Sequence, residues 1–129
     1  MFGLPDGRAV AAIRYFAPDP EDPLEGKRTK LLLLEDTGAI TLSQNCLMPA
    51  SFTMRKGYLA VQCTVGQAAD NLLHDVVVFG PAGQRVLAAS HCREPRWSTD
   101  AILLCKEESV DARGTLKTKP RNVTIRASP

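Results

Sequence analysis

The chain has 129 residues, enough for one domain, with 44% hydrophobic and 23% charged residues and a net charge of only +2. That balance excludes an intrinsically disordered chain and a strongly basic domain that binds by charge alone. Aromatic residues are only 5%, so aliphatic side chains must supply the core. No apolar run approaches the roughly 20 residues of a membrane-spanning helix.

Arg8 to Phe16, "RAVAAIRYF", follows the turn signal Pro5-Asp6-Gly7 and reads as a first strand. The next segment, "APDPEDPLEGKRT", carries three prolines and six charges. Proline cannot sit in a central strand and biases its predecessor toward extended backbone, so an exposed acidic loop is expected at about 17–29. "KLLLLE" (30–35) fits a strand buried on both faces. Asp36-Thr37-Gly38 reads as the turn of a hairpin, and "AITLS" as its return strand.

An irregular stretch is expected at Asn45–Pro49, then a strand over Tyr58–Val65. There Leu59, Val61, Cys63 and Val65 form the apolar set that should face the core, and Gln62 and Thr64 face outward or a second layer. "GQAADNLLHD" (66–75) suits one or two helical turns or a loop. Asp75–Phe79 and Arg85–Ala89 read as strands flanking Gly80-Pro81-Ala82-Gly83. A phosphate loop needs Lys and Ser or Thr after its last glycine and then a helix. Gln84-Arg85 and a strand-like segment follow instead, and Pro81 removes one backbone donor. Proline at the second position of a turn, with glycine two residues on, is β-turn chemistry.

Residues 98–109, "STDAILLCKEES", fit a capped helix or a buried strand equally. A basic loop is expected at about 111–121, and Asn122–Ala127 alternates as a half-exposed closing strand. The whole predicts a single domain over 1–129 of mainly β class, an antiparallel sandwich or small barrel with at most one or two short helices, α+β being the alternative.

Cys46, Cys63, Cys92 and Cys105 contain no C-x-x-C pair, and Met1–Asp6 lacks the basic start and apolar stretch of a secretory signal. The expectation is four reduced thiols and an intracellular, cytoplasmic or nuclear, protein. Asn122-Val123-Thr124 is a sequon with no weight unless the chain is secreted. Catalysis by cysteine would require His74 or His91 within reach of a thiol. His91 and Cys92, adjacent in a strand, point to opposite faces. The spacings of the cysteines lack a zinc signature. The acidic groups Asp19, Glu21 and Asp22, and Glu107 and Glu108, read as solvated surface charge. No catalytic, cofactor or metal site is therefore expected.

Charge is unevenly distributed: residues 1–70 hold seven Lys and Arg against eight Asp and Glu, and residues 71–129 hold nine against six. Arg93, Arg96 and Trp97 with Lys117, Lys119 and Arg121 could form a patch for phosphates, with one aromatic ring for stacking. The sequence reading favours a non-enzymatic domain that recognises a protein or peptide through a loop surface or sheet edge, with self-association by the same edge and no membrane partner. Nucleic-acid binding through the basic C-terminal surface is the alternative.

Overall fold

Eleven strands and their tight turns account for nearly all of the residues described by the computed structural model, which are 2–15, 28–43 and 46–126. Strands make up 72% of the described residues, and none of these is helical. The protein is mainly β, and the α+β alternative falls away for the described residues. Among the described residues no helix is long and apolar enough to cross a membrane. The acidic segment expected at 17–29 lies outside the described residues up to position 27, and Arg28 already belongs to a strand.

The strands form three consecutive antiparallel meanders. Sheet A orders β1 (Phe2–Gly3), β2 (Ala9–Tyr15), β3 (Arg28–Glu35) and β4 (Gly38–Ser43) as neighbours in sequence. Sheet B does the same with β5 (Leu47–Arg55), β6 (Tyr58–Ala68), β7 (Asn71–Phe79) and β8 (Arg85–Ala89). Sheet C holds β9 (Cys92–Trp97), β10 (Ile102–Val110) and β11 (Leu116–Thr124). Within each sheet, connections of two to five residues explain this order, because a hairpin places its second strand beside its first; β2 and β3 alone are separated by twelve residues. At Lys56-Gly57 both residues have positive φ, 53° and 80°, as the two-residue hairpin turn matching strand twist requires.

Sheet B is the middle layer, and alternation along its strands feeds two cores. Leu59, Val61, Cys63 and Phe79 pack with Leu4, Val10, Leu31, Leu33 and Cys46 on one side. Ala60, Val76, Val78 and Ala89 pack with Cys92, Leu103, Cys105 and Ile125 on the other. Gln62 faces this second layer, its Oε1 accepting from the Glu94 backbone N–H at 2.9 Å, and Thr64 is buried. Val65 departs from the expected register. It is 47% exposed, because the pairing shifts between Thr64 and Gly66 and a bulge re-aims the side chain that follows it.

Several expected boundaries are corrected. Residues 66–75 are neither helix nor loop: β6 runs on to Ala68, Ala69-Asp70 turns, and β7 begins at Asn71. Cross-strand pairing overrides their helical propensity. The expected irregular stretch is in part strand β5. Pro49 is tolerated there because β5 is an edge strand with two register shifts. Residues 102–110 are strand. The basic loop expected at 111–121 is a turn over Asp111–Thr115 followed by strand β11, with Pro120 on the outer edge of sheet C. Proline and lysine there protect the edge from further pairing.

The free-thiol expectation is also overturned. Cys46 is disulfide-bonded to Cys63, and Cys92 to Cys105. The first ties the residue just before β5 to β6 and the second joins β9 to β10, with Cα atoms 5.1 and 5.8 Å apart, a separation that only the folded register supplies. The argument from reduced thiols to an intracellular location falls with them.

Gly80-Pro81-Ala82-Gly83 is the β7–β8 turn, closed by Gly80 N–H to the Gln84 carbonyl at 2.7 Å and Gly83 N–H to the Gly80 carbonyl at 2.9 Å. Arg8 holds it against sheet A, with Nη1 donating to the Pro81 carbonyl at 2.7 Å. Gly83 has φ +83°, and a Cβ there would sit 3.1 Å from Ile40 Cγ2. The motif is a packing turn that clamps sheets A and B.

Candidate functional site

Three surfaces or clusters carry chemistry, and each follows from a strand register. On sheet A, Val10 lies opposite Leu33 and both are buried toward sheet B. Alternation then turns the intervening residues to the opposite, outer face. Ala9, Leu34 and Ala39 form one cross-strand row on it, and Ala11, Leu32 and Thr41 the next. Ile13 pairs with Lys30 beyond them. Lys30 is the one charge in these rows. Leu32 and Leu34 are half-buried, and Ile13 is 48% exposed. The "LLLL" run is thus apolar on both faces, as its sequence implies, but among the described residues only one face is covered.

One end of this face is polar. Asp6, Arg8, Ala9, Leu34, Glu35 and Thr37 line a hollow of about 560 Å³. Arg8 Nη2 lies 2.6 Å from Asp6 Oδ2, and Nη1 lies 3.2 Å from Glu35 Oε1. The hydrogen bond to Arg8 is the main reason that the Asp6 carboxyl is held below the usual range, and the Arg8 guanidinium is correspondingly raised. Arg8 is spoken for by Asp6, Glu35 and Pro81, and acts as a tether.

The basic candidates are only partly gathered. Arg96, Lys119 and Arg121 line one groove of about 380 Å³ on sheet C, together with Glu94, Leu104, Lys106 and Pro120. Acidic neighbours offset that charge. Lys106 Nζ lies 2.7 Å from Glu94 Oε2 and Lys119 Nζ 3.7 Å from Glu107 Oε1. The Glu94 carboxyl is held low chiefly by its hydrogen bond to Lys106. Arg121 Nη1 donates to the Ser90 carbonyl at 3.0 Å. Lys117 sits apart, 3.8 Å from Asp111. Trp97 is partly buried: its indole N–H donates to the Thr53 carbonyl at 3.3 Å, and its ring packs on the core between sheets B and C.

Arg93 belongs to a cluster that the sequence reading missed. Glu108, expected at the surface, has a fully buried side chain. Its Oε1 accepts from the His74 backbone N–H at 2.7 Å, and its Oε2 lies 2.8 Å from His74 Nδ1. Arg93 Nη1 approaches the same Oε2 at 3.7 Å, and Arg93 Nε is buried without a hydrogen-bond partner. One carboxylate therefore engages both the backbone and the ring of His74, pinning β7 to β10 across the B–C interface. Such a pair orients an imidazole. Both Glu108 oxygens are used within it, and among the described residues no group of three or more His, Cys, Asp or Glu could hold a metal. Pairing of β10 with β9 shifts between Leu104 and Lys106, with the extra residue on β9, where Glu94 has φ 53°, so no local pattern within β10 marks Glu108 as buried. His91 lies in the β8–β9 turn beside this cluster, its carbonyl accepting from the Glu108 backbone N–H at 2.7 Å and its own backbone N–H donating to Asp75 Oδ1 at 3.0 Å.

No protein-family model, curated protein or solved structure matches this chain.

Proposed function

We propose that this chain is a non-enzymatic interaction module that binds a protein partner through the outer face of sheet A. One observation carries the reading: the rows Ala9–Leu34–Ala39 and Ala11–Leu32–Thr41 present aliphatic surface with a single lysine beside them. A contiguous apolar patch of this kind marks a protein interaction site, because leaving it in water costs about 25 cal/mol per Å². The face is a rigid sheet, so little ordering entropy opposes docking. Partner recognition would then come from shape and apolar contact, with the Asp6–Arg8–Glu35 rim supplying polar specificity.

The test is site-specific photo-crosslinking in cells that make the protein. A benzophenone side chain at Leu34 should capture protein, and the same group at Lys119 should capture little. Capture of protein at Lys119 but none at Leu34 would refute the reading.

A second reading, nucleic-acid binding by sheet C, is favoured by the convergence of Arg96, Lys119 and Arg121 on one groove. It predicts affinity for single-stranded RNA that falls steeply between about 50 and 200 mM salt, since each neutralised phosphate releases counterions. Substituting Lys117, Lys119 and Arg121 together with Ser should flatten that slope. The pairing of Lys106 and Lys119 with glutamates weighs against it.

A further inference from the structure

Two features with separate origins meet on sheet C. The first is the pairing of the cysteines. All four are joined in two bridges and none is free. Such bonds form and persist in oxidising compartments and are reduced in the cytosol. The second is Asn122-Val123-Thr124, the one Asn-x-Ser/Thr triplet in the sequence. Alone such a triplet means little, because it arises by chance. Its weight comes from where the fold places it and from the compartment in which these thiols are oxidised.

Strand β11 is the outer strand of sheet C, and Asn122 lies near its end, opposite Leu104 of β10. Alternation splits the triplet by face. Val123, opposite the fully buried Leu103, packs on the core between sheets B and C. Asn122 and Thr124, two residues apart, are both exposed. The row beyond Asn122 runs through Leu104 to Arg96, on the outer face of sheet C, which no other sheet covers among the described residues. Among those residues the Asn122 side-chain amide has no hydrogen-bond partner. Asn71 contrasts with it: its Nδ2 donates to the Gly114 carbonyl at 2.7 Å and belongs to the fold.

We propose that Asn122 is a glycosylation site and that the protein carries one asparagine-linked oligosaccharide on the outer face of sheet C. The donor is an oligosaccharide on a lipid diphosphate, met in the secretory compartment while the chain is still extended. The Asn122 amide nitrogen forms a bond to the anomeric carbon of the first sugar. The bond from that carbon to the diphosphate oxygen breaks, the lipid diphosphate leaves with the electron pair, and the amide gives up one proton. Nothing is oxidised or reduced. Thr124 supplies the hydroxyl that the triplet requires two residues on.

The folded chain accommodates the product, because both residues face water and β11 has a neighbour on one side only. A bulky polar group on this edge adds to Pro120 and the lysines in blocking further strand pairing. Arg121 and Leu104, which flank Asn122, also line the groove of Arg96 and Lys119, so the sugar stands at its rim. The outer face of sheet A, at the other end of the stack, stays open. The inference is therefore independent of the docking reading, and crosslinking at Leu34 stands or falls separately.

The test takes the full chain from the cells that naturally make it and treats it with a peptide-N-glycosidase in heavy-oxygen water. The enzyme cleaves the sugar–amide bond and leaves a labelled aspartate in place of the asparagine. The untreated protein should exceed the mass of the bare chain and fall to it in one step, with the label at position 122 and nowhere else. Asn122→Gln and Thr124→Ala, made in the same cells, should each lose the mass shift entirely, whereas Thr124→Ser should keep it. After glycosidase, the three variants should melt with the parent protein, since both positions are exposed. A native protein at the bare-chain mass overturns the proposal, and this readout needs no variant to fold. A shift that survives Asn122→Gln overturns it too, as do four alkylatable cysteines in the unreduced native protein.

Discussion

Removing the two disulfides one at a time is the sharpest perturbation of this fold. Cys46 and Cys63 are separated by 17 residues, and Cys92 and Cys105 by 13. Cross-linking a chain removes loop-closure entropy from the unfolded ensemble, which for loops of this size stabilises the native state by about 3 kcal/mol per bridge. All four cysteines are buried, so replacement by Ala also leaves small voids in the core between sheets A and B or between B and C. For a chain of this length each kcal/mol moves the melting temperature by about 3–5 °C, so each Cys-to-Ala pair should lower it by roughly 10–15 °C. Thermal unfolding by circular dichroism reads the shift, and full reduction should exceed either single effect. Alkylation of the unfolded, unreduced protein, followed by mass spectrometry, should modify no cysteine. Four modified cysteines, or a melting temperature indifferent to reductant, would refute the reasoning.

Three further outcomes follow from single contacts. Glu108→Ala strips His74 of two hydrogen bonds and leaves Arg93 without its carboxylate, and should cost about 3 kcal/mol or more in urea unfolding; an unchanged midpoint would show that the buried pair is not a clamp. Gly83→Ala forces a left-handed φ and a 3.1 Å approach to Ile40 Cγ2, and should destabilise by about 1–2 kcal/mol, whereas Ala82→Gly should cost less. Asp6 is more acidic folded than unfolded because Arg8 binds its anion. Its small stabilising effect is thus present above the unfolded-state value and lost as pH falls through the folded one. An NMR titration should place Asp6 below free Asp, and Arg8→Gln should raise it toward the ordinary value.

The candidate site was half legible. "KLLLLE" announces a strand apolar on both faces, and β3 is one, but no local pattern says that sheet A is the end layer of a stack. Only the placement of sheet B leaves Leu32 and Leu34 outward. Arg93, Arg96, Trp97, Lys117, Lys119 and Arg121 looked like one patch because they share a sign or lie close in sequence. Strand alternation and the ion pairs disperse them: Trp97 turns into the core, Arg93 toward Glu108, and Lys117 to the Asp111 turn. Glu108 could not be placed at all, since its burial depends on β10 packing against His74 of β7 across the interface between sheets.

Local chemistry by itself determined the mainly β character, the hairpin turns at Asp36-Thr37 and at Gly80–Gly83, and the inward face of β6 at Leu59, Val61 and Cys63. Each is a property of two to seven consecutive residues: turn geometry at glycine and proline, and a side-chain period of two. Tertiary structure alone decided the rest. The disulfide partners, the extension of β6 and β7 through a helix-prone segment, the second core at Ala60, Val76 and Val78, and the burial of Glu108 all depend on which strands meet and on where their pairing slips by one residue. A bulge reverses the facing of the residues that follow it without changing their composition, so its consequences exist only once the strands are paired.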